Sequence, residues 1–332
     1  MQTFAVIPAR GDWLAAAASS RVTLVLLALL AAGIGATYAL DADVTFALSA
    51  PLGLLALNLA AAIAANPVFR RNTALLVFHL ALLALVVLAA AGRLTYLKGQ
   101  LELAEGEVFN GQLTQSEAGR WHRSQLERAQ FANEGFTIRY EKGVNRAETR
   151  NGVRWLDDNG ALQRAVIGDI NPLVLHGYRF YTSSNKGFAP VFVWHPTGGA
   201  LRRGTINLPS YPVHEYRQAL EWQLPGTNTT LWTMLQFDEV LLDPEQVSQF
   251  RLPEKHNLVV RIGEARHELA PGESISLPQG MLVYERLSTW MGYTVFYDWT
   301  LPWLFAACLL AVASMAWHFW QKCAAQPWDG DA

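Results

Sequence analysis

His79 stands in the run ALLVFHLALLALVVLAAAG, where it is the one ionisable side chain before Arg93. An ionisable group in so apolar a stretch is costly to bury alone, which marks it as functional or as deliberately partnered. A neutral imidazole can ligate a metal, the iron of a haem included. It can equally hydrogen-bond across a helix bundle. Leu75, Leu76, Leu82, Leu83 and Val86 fall around it at helical spacing and form a stripe suited to a flat apolar ligand, to lipid or to a neighbouring helix.

Three further residues have types that could do chemistry. His318 sits among Trp317, Phe319 and Trp320, where it can pair with His79 on one centre or belong to an interfacial aromatic belt. His176 lies in L-H-G-Y, a turn between strands with Gly177 supplying the tolerant backbone. Arg93 closes the apolar run and either meets an anionic ligand or snorkels to the interface. The remaining histidines, His122, His195, His214, His256 and His267, read as solvated. No G-x-S-x-G, H-E-x-x-H, phosphate-binding glycine loop or C-x-x-C occurs, and Ser183 and Ser184 complete no recognisable triad, so no catalytic residue is assigned.

The elements that must hold these residues are unevenly distributed. Mean hydropathy is only +0.13 because very apolar stretches flank a polar middle. Val22 to Leu40 has no charge and about the 20 residues needed to cross a hydrocarbon core. A second span covers about 46–65, with Pro51 near its start, where a missing N–H does least harm. The third covers about 74–94 and the fourth 298–320. The first exceeds a signal-peptide core of about 7 to 15 residues and precedes no A-x-A site, so it is expected to be retained.

Cationic residues favour the cytoplasm in short loops. Arg10 and Arg21 precede the first span, only Asp41 and Asp43 occupy the next loop, and Arg70 and Arg71 the one after. That arrangement predicts cytoplasmic termini, residues 1–94 as an N-terminal membrane region, an extracytoplasmic domain over 95–297, and a cytoplasmic tail at 321–332. Cys308 and Cys323 both fall outside 95–297, so that domain has no disulfide or thiolate chemistry. A net charge of -2 offers no basic stripe for nucleic acid.

The 95–297 region reads as all-β, a sandwich or open barrel inserted between the third and fourth helices. Phe136–Tyr140, Val153–Leu156, Ala189–Trp194, Thr229–Leu235, Leu258–Ile262 and Ser274–Leu277 are short β-branched or aromatic runs bounded by turn residues. Tyr178, Phe180 and Tyr181 alternate as strand residues whose rings build a core. The best helical candidate is Pro244–Phe250, and Gln115–Gln130 reads as a loop or short surface helix.

Three segments carry a family resemblance: FHLALLALVVLAAAGRLTYLKGQLELAEGEVF from Phe78, NPLVLHGYRFYTSSNKGFAPVFV from Asn171, and MGYTVFYDWTLPWLF from Met291. With three spans, a large domain and a last span, the chain resembles the ResB/CcsB family of system II cytochrome c biogenesis. It is shorter than the usual member, and it lacks the W-W-D motif of the partner family, CcsA. The resemblance implies a bacterial inner-membrane subunit that assists haem export and presents haem to apocytochromes bearing C-x-x-C-H. Haem would be held transiently and shared with a CcsA-like partner, and the chain would be a non-catalytic or co-catalytic part of a synthetase complex. His79 matches the family's transmembrane haem ligand, and Arg93 can then meet a propionate. The competing expectation is a membrane anchor or assembly subunit of a respiratory complex, touching haem or quinone without ligation chemistry. A solute transporter is disfavoured, because no second ionisable site marks a pathway.

Overall fold

A computed structural model describes residues 10–40, 43–212 and 218–324. Asp41, His214 and the tail beyond Ala324 lie outside them. The helices are α1 (Arg10–Ala17), α2 (Ser20–Ala39), α3 (Val44–Ala65), α4 (Pro67–Arg71), α5 (Thr73–Thr95) and α6 (Leu301–Ala324). Of these, α2, α3, α5 and α6 are long and apolar enough to cross a membrane.

Capping residues set where the helices begin. Ser19, Asp43, Asn66 and Asn72 accept the backbone N–H of Arg21, Thr45, Val68 and Leu75 respectively, satisfying donors that a helix leaves unpaired at its start. Because Asp43 starts α3 at Val44, Pro51 lies inside the helix and not in its first turn as expected. Its missing N–H strips the Ala47 carbonyl of its helical donor. That carbonyl abuts Gly33 of α2 so closely that a Cβ there would overlap it. Asn58 ties the first helices together, donating to the Ala17 carbonyl at 2.6 Å while accepting from Thr23 Oγ1 at 2.7 Å. The fourth span begins three residues later than expected because Asp298 accepts both the N–H and the O–H of Thr300, and no glycine or proline stops it before Ala324.

The strands are β1 (Leu97–Ala104), β2 (Gln115–Ala118), β3 (Ala132–Glu141), β4 (Asn145–Leu156), β5 (Leu162–Ile167), β6 (Leu173–Leu175), β7 (Tyr178–Pro196), β8 (Arg202–Thr205), β9 (Ala219–Gln223), β10 (Thr230–Gln236), β11 (Ser248–Gln249), β12 (Asn257–Ile262), β13 (Ala265–Leu269), β14 (Ser274–Leu277) and β15 (Gly280–Tyr297). All six expected strands are present. They form three sheets in place of the two of a simple sandwich: β2-β1-β15-β7-β6 with β14 and β8 attached, β13-β12-β10-β9, and β11-β3-β4-β5. The reason lies in β7 and β15, whose 19 and 18 residues pair antiparallel along a ribbon long enough to carry separate hairpins. Between Pro244 and Phe250 there is no helix. Asp243 instead accepts the Glu245 N–H at 2.9 Å, a local turn that competes with helix, and Ser248 pairs with Tyr140. Within Gln115–Gln130, β2 is a strand the sequence did not signal, and Leu126–Arg128 is a single 3-10 turn.

Two compact units result: residues 1–97, 117–123 and 297–332 in one, and 98–116 with 124–296 in the other. The second has a core of Phe109, Phe131, Phe180 and Tyr293, whose rings meet largely edge to face. Inside it runs a buried polar chain. Tyr293 donates to Asn151 Oδ1 at 2.8 Å, Asn151 Nδ2 donates to Asn133 Oδ1 at 2.7 Å and to the Gly135 carbonyl at 2.8 Å, and Asn133 donates to the Leu103 carbonyl at 3.0 Å. Asn151→Ala orphans several of these groups and is expected to cost about 3 kcal/mol or more, whereas Tyr293→Phe leaves one acceptor unmet and costs about 1–2 kcal/mol. Thermal unfolding followed by near-ultraviolet circular dichroism checks the order. Equal midpoints for the two variants would mean that the chain does not act as a unit.

Candidate functional site

His79 lies within α5, part-buried, its ring against Phe69 of α4 at 4.3 Å between centroids and against Phe78 at 5.3 Å. Its Nδ1 is 2.8 Å from the carbonyl of Leu75, one turn earlier in the same helix. A carbonyl only accepts, so Nδ1 must carry the proton and Nε2 the lone pair. Ligating histidines are set up in this way: the nitrogen away from the metal donates to a backbone carbonyl or carboxylate, fixing tautomer and ring orientation.

His318 is held in the opposite state. Asn72 uses Oδ1 to accept the Leu75 N–H at 3.0 Å, which fixes its amide so that Nδ2 faces His318 Nδ1 at 3.1 Å. The Asn72 amide therefore donates, His318 Nδ1 accepts, and the imidazole proton resides on Nε2. His318 is only 9% exposed and ties α6 to Asn72, the capping residue of α5. Seven residues separate Asn72 from His79, about 10 Å along the axis at 1.5 Å per residue. His79 is anchored on the Leu75 carbonyl and His318 on the Asn72 amide. At the far end of the same helices, a Cβ at Gly92 would stand 2.8 Å from Thr300 Oγ1, so a residue without a side chain lets α5 and α6 approach there.

At the carboxyl end of α5, Arg93 is exposed, with its guanidinium 5.5 Å from the Tyr96 ring centroid. Tyr96 donates to Glu117, and burial together with that carboxylate pushes the phenol up to about 12. Residues 117–123 form a strap over the helix end. Gly119 N–H donates to the Tyr96 carbonyl at 2.9 Å, Trp121 N–H to Leu94 at 2.7 Å, and His122 Nδ1 to Thr95 at 2.8 Å. These are carbonyls that a helix terminus otherwise leaves unpaired. Sequence reading missed the strap because its partners are backbone oxygens, which no side-chain pattern announces.

The other unit holds the remaining histidines. His176 is exposed at the β6–β7 turn with φ of +49°, followed by Gly177 at +85°, the left-handed pair of a tight hairpin. His256 differs from its solvated expectation: it is part-buried, its Nε2 is 2.8 Å from Tyr284 Oη, and burial lowers its pKa. It lines a cleft of about 1660 Å³ with Tyr211, Met234, Glu239, Arg251 and Lys255. His195 and His267 lie within β7 and β13. Tyr178 and Phe180 are buried core residues, as their alternation required. Among the described residues, no three of His, Cys, Asp and Glu gather closely enough to hold a metal ion.

A model of the ResB-like family matches residues 58–322. The chain belongs to that family. The match runs from Asn58 in α3 through His79, the strap and all fifteen strands to Lys322 in α6, and leaves α1 and α2 outside it. This is the cytochrome c biogenesis family that the sequence segments resemble. A solved structure of the cytochrome c heme lyase CcmF is 14% identical over 90% of this ResB-like chain, with a TM-score of 0.24, and the chain spans 34% of that protein. No curated protein matches the chain.

Proposed function

We propose that this ResB-like chain is the haem-handling subunit of a system II cytochrome c synthetase complex. In this reading α2, α3, α5 and α6 cross a bacterial inner membrane with both termini in the cytoplasm, and the β-rich unit, 95–297 in outline, faces the extracytoplasmic side. His79, about 8 Å into its span at 1.5 Å per residue, would hold the iron of a haem collected from the inner leaflet through Nε2. Export and presentation to a C-x-x-C-H apocytochrome would involve a CcsA-like partner that shares the haem, while the β-rich unit braces that partner or the apocytochrome.

The observation that carries this reading is the Nδ1 contact of His79 with Leu75 O, which leaves the nitrogen needed for iron as the acceptor. The donor chemistry therefore fits haem. Bound haem would supply the iron and the vinyl groups that become thioethers; this chain would bind, orient and shield it. His318 and Asn72 position α5 and do not ligate. Arg93, engaged with Tyr96, retains room for a propionate only as a secondary contact, and His176 serves its turn.

The visible spectrum of the protein purified with and without a CcsA-like partner tests the proposal. A reduced haem spectrum is expected in the wild type, lost in His79→Ala and retained in His318→Ala. Unchanged haem content in His79→Ala would make this histidine structural and the chain a scaffold.

A further inference from the structure

The strap places charge as well as closing a helix. Its inward groups, Gly119 N–H, Trp121 N–H and His122 Nδ1, are spent on the carbonyls of Leu94, Thr95 and Tyr96, which fixes the strap at the level where α5 ends. Arg120, Trp121 and Arg123 of the same segment are all exposed, with Trp121 at 65%. The one carboxylate of the segment, Glu117, is engaged by Tyr96. Among the described residues, neither Arg120 nor Arg123 lies within ion-pair distance of an acid. Arg120 is steadied by Phe46 at the start of α3, its guanidinium 5.1 Å from the ring centroid.

A membrane-spanning helix ends at the headgroup layer, where tryptophan rings settle and guanidinium groups meet phosphate. Two planar guanidinium forks, uncommitted to carboxylates and flanking one indole, match an anionic phosphodiester better than a carboxylate ligand deeper in the membrane. We propose that Arg120 and Arg123, with Trp121 between them, bind the phosphate of an anionic phospholipid in the leaflet at the carboxyl end of α5. That leaflet is the outer one in the orientation proposed above, but the site needs only that α5 crosses the membrane. The bound lipid would hold the strap, and with it the end of the helix that carries His79, against the membrane surface.

The test is native mass spectrometry of the full chain in detergent micelles, titrated with dioleoylphosphatidylglycerol, dioleoylphosphatidylcholine or inorganic phosphate, with haem content read in parallel. Wild type is expected to retain phosphatidylglycerol over phosphatidylcholine. Arg120→Gln with Arg123→Gln is expected to weaken phosphatidylglycerol binding roughly fivefold per arginine, from about 1 kcal/mol each. The double lysine variant keeps most of the affinity, Arg202→Gln in β8 changes nothing, and haem content is unaltered. Lipid binding that is equal in wild type and the double glutamine variant overturns the proposal, and so does an equal loss in Arg202→Gln. Displacement of the lipid by millimolar inorganic phosphate makes this an ion site and also overturns it. If haem is lost while lipid is kept, the arginines serve haem and not the membrane. Matching thermal midpoints of the glutamine and lysine variants separate any affinity loss from misfolding.

Discussion

Gly119→Ala is expected to unseat the strap from α5 and expose it to trypsin at Arg120 and Arg123. A Cβ at this position would overlap the backbone carbon and oxygen of Leu94 and lie 2.6 Å from the Arg93 carbonyl, and no side chain can rotate away to relieve a clash with main chain. The strap must lift, and the Gly119, Trp121 and His122 hydrogen bonds to the helix end go with it. Each is worth about 1 kcal/mol net, more where the abandoned carbonyl stays out of water, so the loss is about 3 kcal/mol. In the regime where cleavage follows the open population, this raises the trypsin rate in the strap by roughly a hundredfold. The matched control is Gly53→Ala in α3, where nothing lies within 4 Å of the new Cβ and alanine is the better helix former by about 1 kcal/mol. If both variants cleave at the wild-type rate, the strap is not fastened by its backbone.

The same contrast between side-chain pattern and backbone partner explains what the sequence disclosed. The four spans were legible because twenty apolar residues in a row have few other uses, and their starts moved by a few residues only because caps such as Asp43 and Asp298 act through one atom. His79 was legible as the odd residue in an apolar run. Its tautomer was not, since the Leu75 carbonyl decides it and every residue has a carbonyl. His318 was legible as a histidine among aromatic rings, open to an interfacial place or to pairing with His79. Its partner is Asn72, 246 residues away, and no local window contains that pair.

In the β-rich unit, alternation revealed strands but not their grouping into sheets. Register there is fixed by nonlocal pairs, and buried polar residues such as Asn133 and Asn151 read as turn residues until their partners are known. The SSNKG stretch, read as part of a family segment, is a bulge: Thr182 faces Tyr293 and Lys186 faces Met291, so three residues of β7 oppose Gly292 alone. A bulge re-aims the side chain that follows it. Here that residue is a lysine, and it points inward.

Lys186 is expected to make the β-rich unit more stable as pH rises from about 8 to 10, and Lys186→Met to remove that rise. The side chain is 5% exposed, its Nζ donates to the Ser184 carbonyl at 3.2 Å, and the Tyr140 ring centroid lies 5.4 Å away. Among the described residues no carboxylate pairs with it. Asp169 engages Arg146 and accepts from Thr182, and the Arg146 charge adds to the effect of burial in bringing the ammonium down to about 8 from 10.5. Below pH 8 both folded and unfolded chains carry the proton and the contribution is constant. Between about 8 and 10.5 the unfolded chain holds the proton that the folded chain has released, so stability increases with pH. At about 1.4 kcal/mol per unit, the gain up to pH 10 is about 2–3 kcal/mol. Above that, Tyr140, held up to about 12 by burial, reverses the trend, because the unfolded phenol ionises first. No cysteine lies in this unit to titrate in the window. Methionine fills the space with an uncharged, unbranched chain, so the variant is also more stable at pH 7 by up to about 3 kcal/mol. Urea unfolding of the full chain in micelles, read by pulsed hydrogen exchange in β7 and β15 peptides at pH 7 to 10, separates the two profiles. A rise that survives in the methionine variant would assign the titration to another group and leave Lys186 charged in its bulge.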